Sequence, residues 1–347
     1  MDAIMMGRRC CVVLAIIAAY AAACAAESSS ILARVRAADM LRCGIDQEQA
    51  EYTNSDDHGN REAFDADLCR AVAAAVLGKD ARVQAVRSPD DQTAMRALQS
   101  GEVDLAATLP DDFSHSAGTH LVFTRPVLWD GVGFLLPVGS KVERARQLSG
   151  KKICFLAETH VEESVRAWFA REHLNFVPFP FQEEGEMQAA FATHNCGALA
   201  GEATRLAETR AALERRGHKT RLLSARISTD PLASAVRDND PQWAALVSWV
   251  MEALVAAEQR GVTQANVEAM RVRADSDPEL RFLLGGSREI GSALGLDNDW
   301  VVRVIAATGN YGEIYERDLG SGSPLKLPRG ENNLRAHGGA MIALPTQ

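Results

Sequence analysis

The sequence predicts an α/β protein of two lobes followed by a helical C-terminal extension. Three observations carry that reading: a strand, helix, strand, helix, strand order occurs twice, a long apolar strand leads from the first run into the second, and about 85 residues follow the last long helix. At 347 residues the chain is longer than a typical single domain. Its 47% apolar and 24% charged content is that of an ordinary globular protein, and a net charge of -9 gives no support to nucleic-acid or anionic-membrane binding. Small molecules or proteins are the expected partners.

The N-terminus reads as a secretory signal peptide over residues 1–25. Arg8 and Arg9 supply the positive start, an Ala-rich apolar run follows, and the polar ESSS closes it, so the mature chain is expected to begin near residues 24–27. The alternative is a membrane anchor, for which an apolar run of about 17 residues is at the short limit. Lipid modification of Cys24 is disfavoured because Ala21 is a poor match for the larger aliphatic residue usual three positions earlier. No later apolar stretch is long enough to cross a membrane, so the exported mature protein is expected to be soluble.

The first lobe is expected over residues 39–136. MLRCGI reads as a short apolar strand. DADLCRAVAAAVLG reads as an amphipathic helix, with Leu68, Val72 and Val76 on one face and Gly78 as its stop. RVQAVRS is the next strand, TAMRALQSG a helix ending at Gly101, VDLAAT a strand, and PVLWDGVGFLLPV a longer strand that leaves the lobe. The second lobe is expected over 137–224. It holds the strand KKICFLAE, a helix with Val161, Val165, Trp168 and Phe169 on one face, the strand NFVPFPF, the helix GEMQAAFATH and the strand CGALAGE. Residues 225–262 read as a return to the first lobe, ending in an apolar-faced helix that opens with Pro241 and stops at Gly261. Residues 263–347 form the extension, expected to pack on the first lobe.

The mature body holds Cys43, Cys69, Cys154 and Cys196, an even number suited to an oxidising compartment. Four cysteines allow three pairings; Cys43 with Cys69 and Cys154 with Cys196 would keep each bridge inside one lobe, and four buried thiols is the alternative. A zinc site is disfavoured because no CxxC or HxxxH pair accompanies them. No cofactor motif is present, and the DD at 56–57 and DND at 238–240 read as turns, since neither has the spacing of a calcium loop.

Two lobes joined by a crossing strand suit a ligand held in a cleft and buried by hinge closure. LRCGI, DDHGNREAFDADLCRAVAAAVLG, ALQSGEVDLAAT, WDGVGF, PLASAVRDNDPQW and GLDNDWVVRVIAATGNYGEIYERDLG, with the later LPRG and GGAMIALP, resemble the periplasmic general amino-acid-binding proteins of ABC importers. The resemblance runs from about Leu41 to Pro345, and its tail segments are its most specific part. It implies a type II periplasmic-binding fold, a disulfide within each lobe, a monomer, capture of an amino acid or related small polar solute, and an ABC permease as partner. It implies no cofactor and no enzymatic activity.

The resemblance also implies a ligand set of Tyr52, Thr108, His115, Trp129, Thr159 and Glu202. The family holds the ligand's α-carboxylate with an arginine beyond the third strand, because a guanidinium matches a carboxylate with two parallel bonds. In LPDDFSHSAG that position falls at His115, which cannot form the fork. Arg125, in FTRP, is the candidate replacement cation. The family's glycine-threonine pair falls at Glu158 and Thr159, and its ammonium-receiving acid falls at Glu202. Blander roles stand beside these: a surface histidine at 115, a helix-start carboxylate at Glu158, and packing aromatics at Tyr52 and Trp129. Two other functions stay open at this point, a dehydratase-like enzyme using Glu158 or Glu202 as general acid, and a sensor that reports to a membrane partner.

Overall fold

A computed structural model describes residues 30–46, 54–55, 61–62, 64–274, 277–286 and 289–345. Residues 1–25, read from the sequence as a signal peptide, and Tyr52 lie outside the described residues.

The first lobe is a sheet of five strands, Leu41–Asp46 (β1), Val83–Ser88 (β4), Leu105–Pro110 (β5), Leu121–Asp130 (β6) and Asp230–Arg237 (β12), in the order β4-β1-β5-β12-β6. Strands β1, β4 and β5 are parallel, and β12 runs antiparallel to both of its neighbours. Two short strands, Asn54–Ser55 (β2) and Arg61–Glu62 (β3), form a separate antiparallel pair. Helix Phe64–Leu77 (α2) buries Leu68 and Val72 completely against the sheet. On the opposite face, Asp91–Ser100 (α3) begins where Asp90 accepts the Thr93 N–H and ends at Gly101, whose φ of 78° suits glycine.

The second lobe is a sheet in the order β11-β7-β10-β8-β9, built from Val132–Pro137 (β7), Lys152–Leu156 (β8), Val177–Phe181 (β9), Ala198–Glu202 (β10) and Thr220–Leu222 (β11). Helices His160–Arg171 (α5), Glu184–Ala192 (α6) and Ala203–Arg215 (α7) flank it, with separate apolar clusters around Phe134 and Leu135. Cys43–Cys69 ties β1 to α2, and Cys154–Cys196 ties β8 to the segment before β10, with Cα–Cα distances of 6.0 and 5.9 Å.

The chain crosses between sheets at Gly131, so the stretch read as one strand is β6 in one sheet and β7 in the other, and the change comes before the expected boundary at 136/137. The return segment runs beside this crossing: Ile227 N–H donates to the Val132 carbonyl at 2.7 Å and Val132 N–H to Ser228 Oγ at 2.8 Å. A Cβ on Gly131 would lie 2.3 Å from the Ser228 carbonyl oxygen, and φ is 153°, so the close approach requires glycine.

Helix Ile31–Ala38 (α1), absent from the sequence reading, opens at Ser30 and buries Ile31, Leu32 and Val35 in the first lobe, with the Ile31 N–H on Asp240 Oδ2 at 2.6 Å. Helix Pro241–Gln259 (α8), with Asp240 as cap and Pro241 in its first turn, lies under the same sheet. Among the extension's elements, Trp300–Thr308 (α12) and Tyr311–Asp318 (α13) pack on α2 and α8. Arg303 donates to the carbonyls of Ala74 and Ala75 at the end of α2, and Arg317 pairs with the fully buried Asp67. Arg329 donates two hydrogen bonds to the Glu258 carboxylate, at 2.6 and 3.1 Å, while its guanidinium lies over the rings of Tyr311 and Tyr315. Among the described residues no helix is long and apolar enough to cross a membrane.

Candidate functional site

Parallel strands leave their C-terminal ends, and the loops after them, as the natural floor of a binding site. Here the ends of β1, β4 and β5 and the start of the antiparallel β12 in the first lobe face the end of β10 and the start of α7, around a cleft of about 480 Å³.

Asp130, the last residue of β6, is 3% exposed and is surrounded by donors: Gly131 N–H at 2.8 Å, Ala203 N–H at 3.0 Å and Thr204 Oγ1 at 2.5 Å. It therefore caps α7 from a neighbouring strand, placing a carboxylate at a helix N-terminus. Glu202 sits immediately before that helix and lines the cleft. Burial, then the negative charge of Asp130, pushes its carboxyl up to about 7 against the cations of His160 and Arg205.

His160 opens α5, with Nε2 3.3 Å from Glu202 Oε1 and 3.7 Å from Asp230 Oδ2. Contact with Asp230, reinforced by the charge of Glu202, raises the imidazolium above its ordinary range despite desolvation. Asp230 shows the reciprocal effect: against burial, the His160 ring and the Ser228 hydroxyl hold it below the usual carboxylate range. Arg205, in the first turn of α7, spans the cleft to the end of β1, with Nη2 2.8 Å from Asp46 Oδ2, and also lies 3.5 Å from Glu208.

The first-lobe wall is largely acidic. Thr108 lines it and donates its hydroxyl to Asp65 at 2.8 Å. Asp65 lies fully buried behind the wall and also accepts the Asp46 N–H, yet burial dominates and pushes its carboxyl up to about 7. His115 lines the cleft with Nδ1 2.9 Å from Asp112 Oδ2; Asp112 is held below the carboxylate range, against desolvation, by the His115 ring and N–H. Asp91, at the start of α3, and Asp111 complete the wall, and desolvation raises both carboxyls.

The structure thus brings Thr108, His115 and Glu202 to one cleft. Trp129 is not among the lining residues: it lines a small cavity of about 40 Å³ beneath the C-terminal segment, and its backbone bonds Asn332 of the extension at 2.7 and 2.9 Å. The cause is strand alternation, since neighbours on β6 point to opposite faces and Asp130 takes the cleft side. Thr159 caps α5, donating its hydroxyl to the Leu156 carbonyl and accepting the Glu162 N–H, while the next residue, His160, lines the cleft. Glu158 adopts φ 60° and donates its N–H to Glu162. Arg125 does not reach the cleft: its Nη1 bonds Glu252 at 3.3 Å and the Ile342 carbonyl at 3.2 Å, on the face covered by the extension. The residues sequence reasoning missed are Asp91, Asp130, His160, Arg205 and Asp230. Asp91 follows directly on a parallel strand and Arg205 lies three residues past Glu202 at a helix start, signals that could have found both. Among the described residues no three His, Cys, Asp or Glu side chains gather to hold a metal ion.

No protein-family model matches the chain. It is 36% identical over 324 residues to the general L-amino acid-binding periplasmic protein AapJ of Rhizobium johnstonii, covering 92% of this chain and 94% of that protein. It is 36% identical over 319 residues to the glutamate/glutamine/aspartate/asparagine-binding protein BztA of Rhodobacter capsulatus, covering 92% and 94%. Among solved structures, an ABC transporter periplasmic binding protein from Brucella ovis with glutathione bound superposes with a TM-score of 0.79 at 35% identity, over 92% of this chain and 100% of the other.

Proposed function

The chain belongs to the periplasmic binding proteins of amino-acid ABC transporters, and from that premise we propose that it holds an amino acid or related small polar solute in the interlobe cleft and delivers it to an ABC permease. The observation that carries this reading is the cleft itself, lined from both sheets and floored by the two segments that cross between them at Gly131 and Ser228. Two adjacent crossings form a hinge about which one lobe closes on the other.

In this reading Glu202 receives a cationic nitrogen of the solute. Its raised carboxyl fits a group that waits in a desolvated place and ionises fully when a positive charge arrives. Thr108 and His115 contribute from the first lobe, and His160 and Asp230 keep Glu202 oriented. The protein acts as a periplasmic monomer, without cofactor and without turnover. A raised carboxyl beside a histidine is also what acid–base chemistry needs; the relatives, named as transport binding proteins, favour the solute-binding reading.

A thermal-shift screen of the purified mature protein tests this reading, using the twenty amino acids, polyamines, small dicarboxylates and glutathione. A true ligand at about 100 times its Kd stabilises the fold by roughly 2.7 kcal/mol. The reading predicts at least one such hit, lost in Glu202→Gln; a flat screen overturns it.

A further inference from the structure

The charge inventory of the cleft identifies a class of solute. Among the described residues nine carboxyl groups line it, against one guanidinium and two imidazoles. Each of the three cations already has a carboxylate partner: Arg205 has Asp46 and Glu208, His160 has Glu202 and Asp230, and His115 has Asp112. Arg125 is engaged on another face. A solute carboxylate entering this space has to displace a protein carboxylate from its cation and then sit among like charges.

The acids are in surplus. Asp130 is satisfied by the N–H groups at the start of α7, but Asp91 and Asp111 on the first-lobe wall form no ion pair among the described residues. The Arg205 guanidinium, held against Asp46 across the cleft, shows the kind of group this wall accepts. No aromatic side chain lines the cleft among the described residues, so charge and hydrogen bonding dominate recognition there.

We propose that the solute is a small organic cation with at least two ammonium or guanidinium groups, one received by Glu202 and another by the acidic first-lobe wall that carries Asp91 and Asp111. The shared chemistry covers both linear polyamines and basic amino acids. The proposal rests on the cleft being the solute site.

Isothermal titration calorimetry on the mature protein at about pH 8 tests it, with 1,4-diaminobutane, spermidine, arginine, lysine, glutamine, glutamate and glutathione as probes. The expected result is that at least one of the four polycations binds tenfold or more tightly than glutamine, glutamate or glutathione. Raising the salt about tenfold should weaken that binding several-fold, because opposite charges are being screened. Asp91→Asn with Asp111→Asn should weaken it about tenfold without lowering the melting temperature, whereas Glu143→Gln, an exposed carboxylate outside the cleft, should leave it unchanged. Preference for diamines over arginine and lysine assigns polyamines, and the reverse assigns basic amino acids. If glutamine, glutamate or glutathione binds tighter than every polycation, or the double variant binds as well as the wild type, the proposal is overturned while the solute-binding reading stands. If nothing in the panel binds, this proposal is overturned, and the solute-binding reading falls with it only when the wider thermal-shift screen is flat as well.

Discussion

Titration of Glu202 makes solute binding dependent on pH. The group stands at the start of α7 with Asp130, His160, Arg205 and Asp91 acting on it, and its carboxyl is pushed up to about 7. As pH falls through that value the carboxyl gains its proton, and the neutral acid no longer attracts an ammonium group. A carboxyl titrating near 7 is ionised in about ten molecules of eleven at pH 8 and about one of eleven at pH 6. Because apparent affinity scales with the competent fraction, Kd should rise about tenfold from pH 8 to pH 6. His160 acts in the same direction: raised above its ordinary range, it gains positive charge as pH falls and repels the incoming cation. Calorimetry in buffers of different ionisation heat should also record release of about half a proton per solute at pH 7, since binding forces Glu202 to ionise. In Glu202→Gln affinity should be lower and the pH slope markedly flatter. A Kd that is constant or tightens between pH 8 and pH 6, or a Glu202→Gln variant that keeps the full slope, refutes the assignment of Glu202 as the cation partner.

Three further predictions concern the frame that holds the cleft. Replacing Cys154 and Cys196 together by serine opens a loop with a sequence separation of 42 and should cost about 4 kcal/mol by loop-closure entropy; urea unfolding measures it, and a loss below about 1 kcal/mol contradicts that account. Gly131→Ala places a Cβ against the Ser228 carbonyl oxygen at 2.3 Å, so the crossing segments must part. A loss of about 2 kcal/mol or more in chemical denaturation is expected, and unchanged stability contradicts the packing described. Arg329→Ala leaves Glu258 largely buried beneath the extension without the guanidinium that donates two hydrogen bonds to it, and should cost about 3 kcal/mol. Limited proteolysis should then cut the extension first, and full resistance contradicts its anchoring through this pair.

The helices and strands that could be read from sequence are those whose pattern is local. Helix α2 was legible from Leu68, Val72 and Val76, and α3 from Gly101, because spacing and a glycine stop belong to the segment itself. Helix α1 was not, because the burial of Ile31, Leu32 and Val35 depends on a lobe assembled from distant chain and on Asp240 more than two hundred residues later. The break between β6 and β7 was hidden for a similar reason: Gly131 marks it, but only the approach of Ser228 shows why a glycine is needed there. In the site, the alignment implied by family resemblance put Thr108, His115 and Glu202 at positions that line the cleft. Trp129 was a one-residue matter of strand face, with Asp130 on the cleft side instead. Arg125 illustrates a different limit, since proximity in sequence to the cleft loop says nothing of the β6 face on which Glu252 and the extension wait.

The central claim is that one solute sits between the lobes with a cationic nitrogen on Glu202. A crystal structure of the protein grown with the tightest-binding compound of the thermal-shift screen tests it most directly. The account predicts the solute in the cleft between Glu202 and the Asp91–Asp111 wall, at full occupancy, with a nitrogen within hydrogen-bonding distance of the Glu202 carboxylate. A solute bound elsewhere on the protein, or one in the cleft that presents a carboxylate to Arg205 and leaves Glu202 untouched, would contradict it.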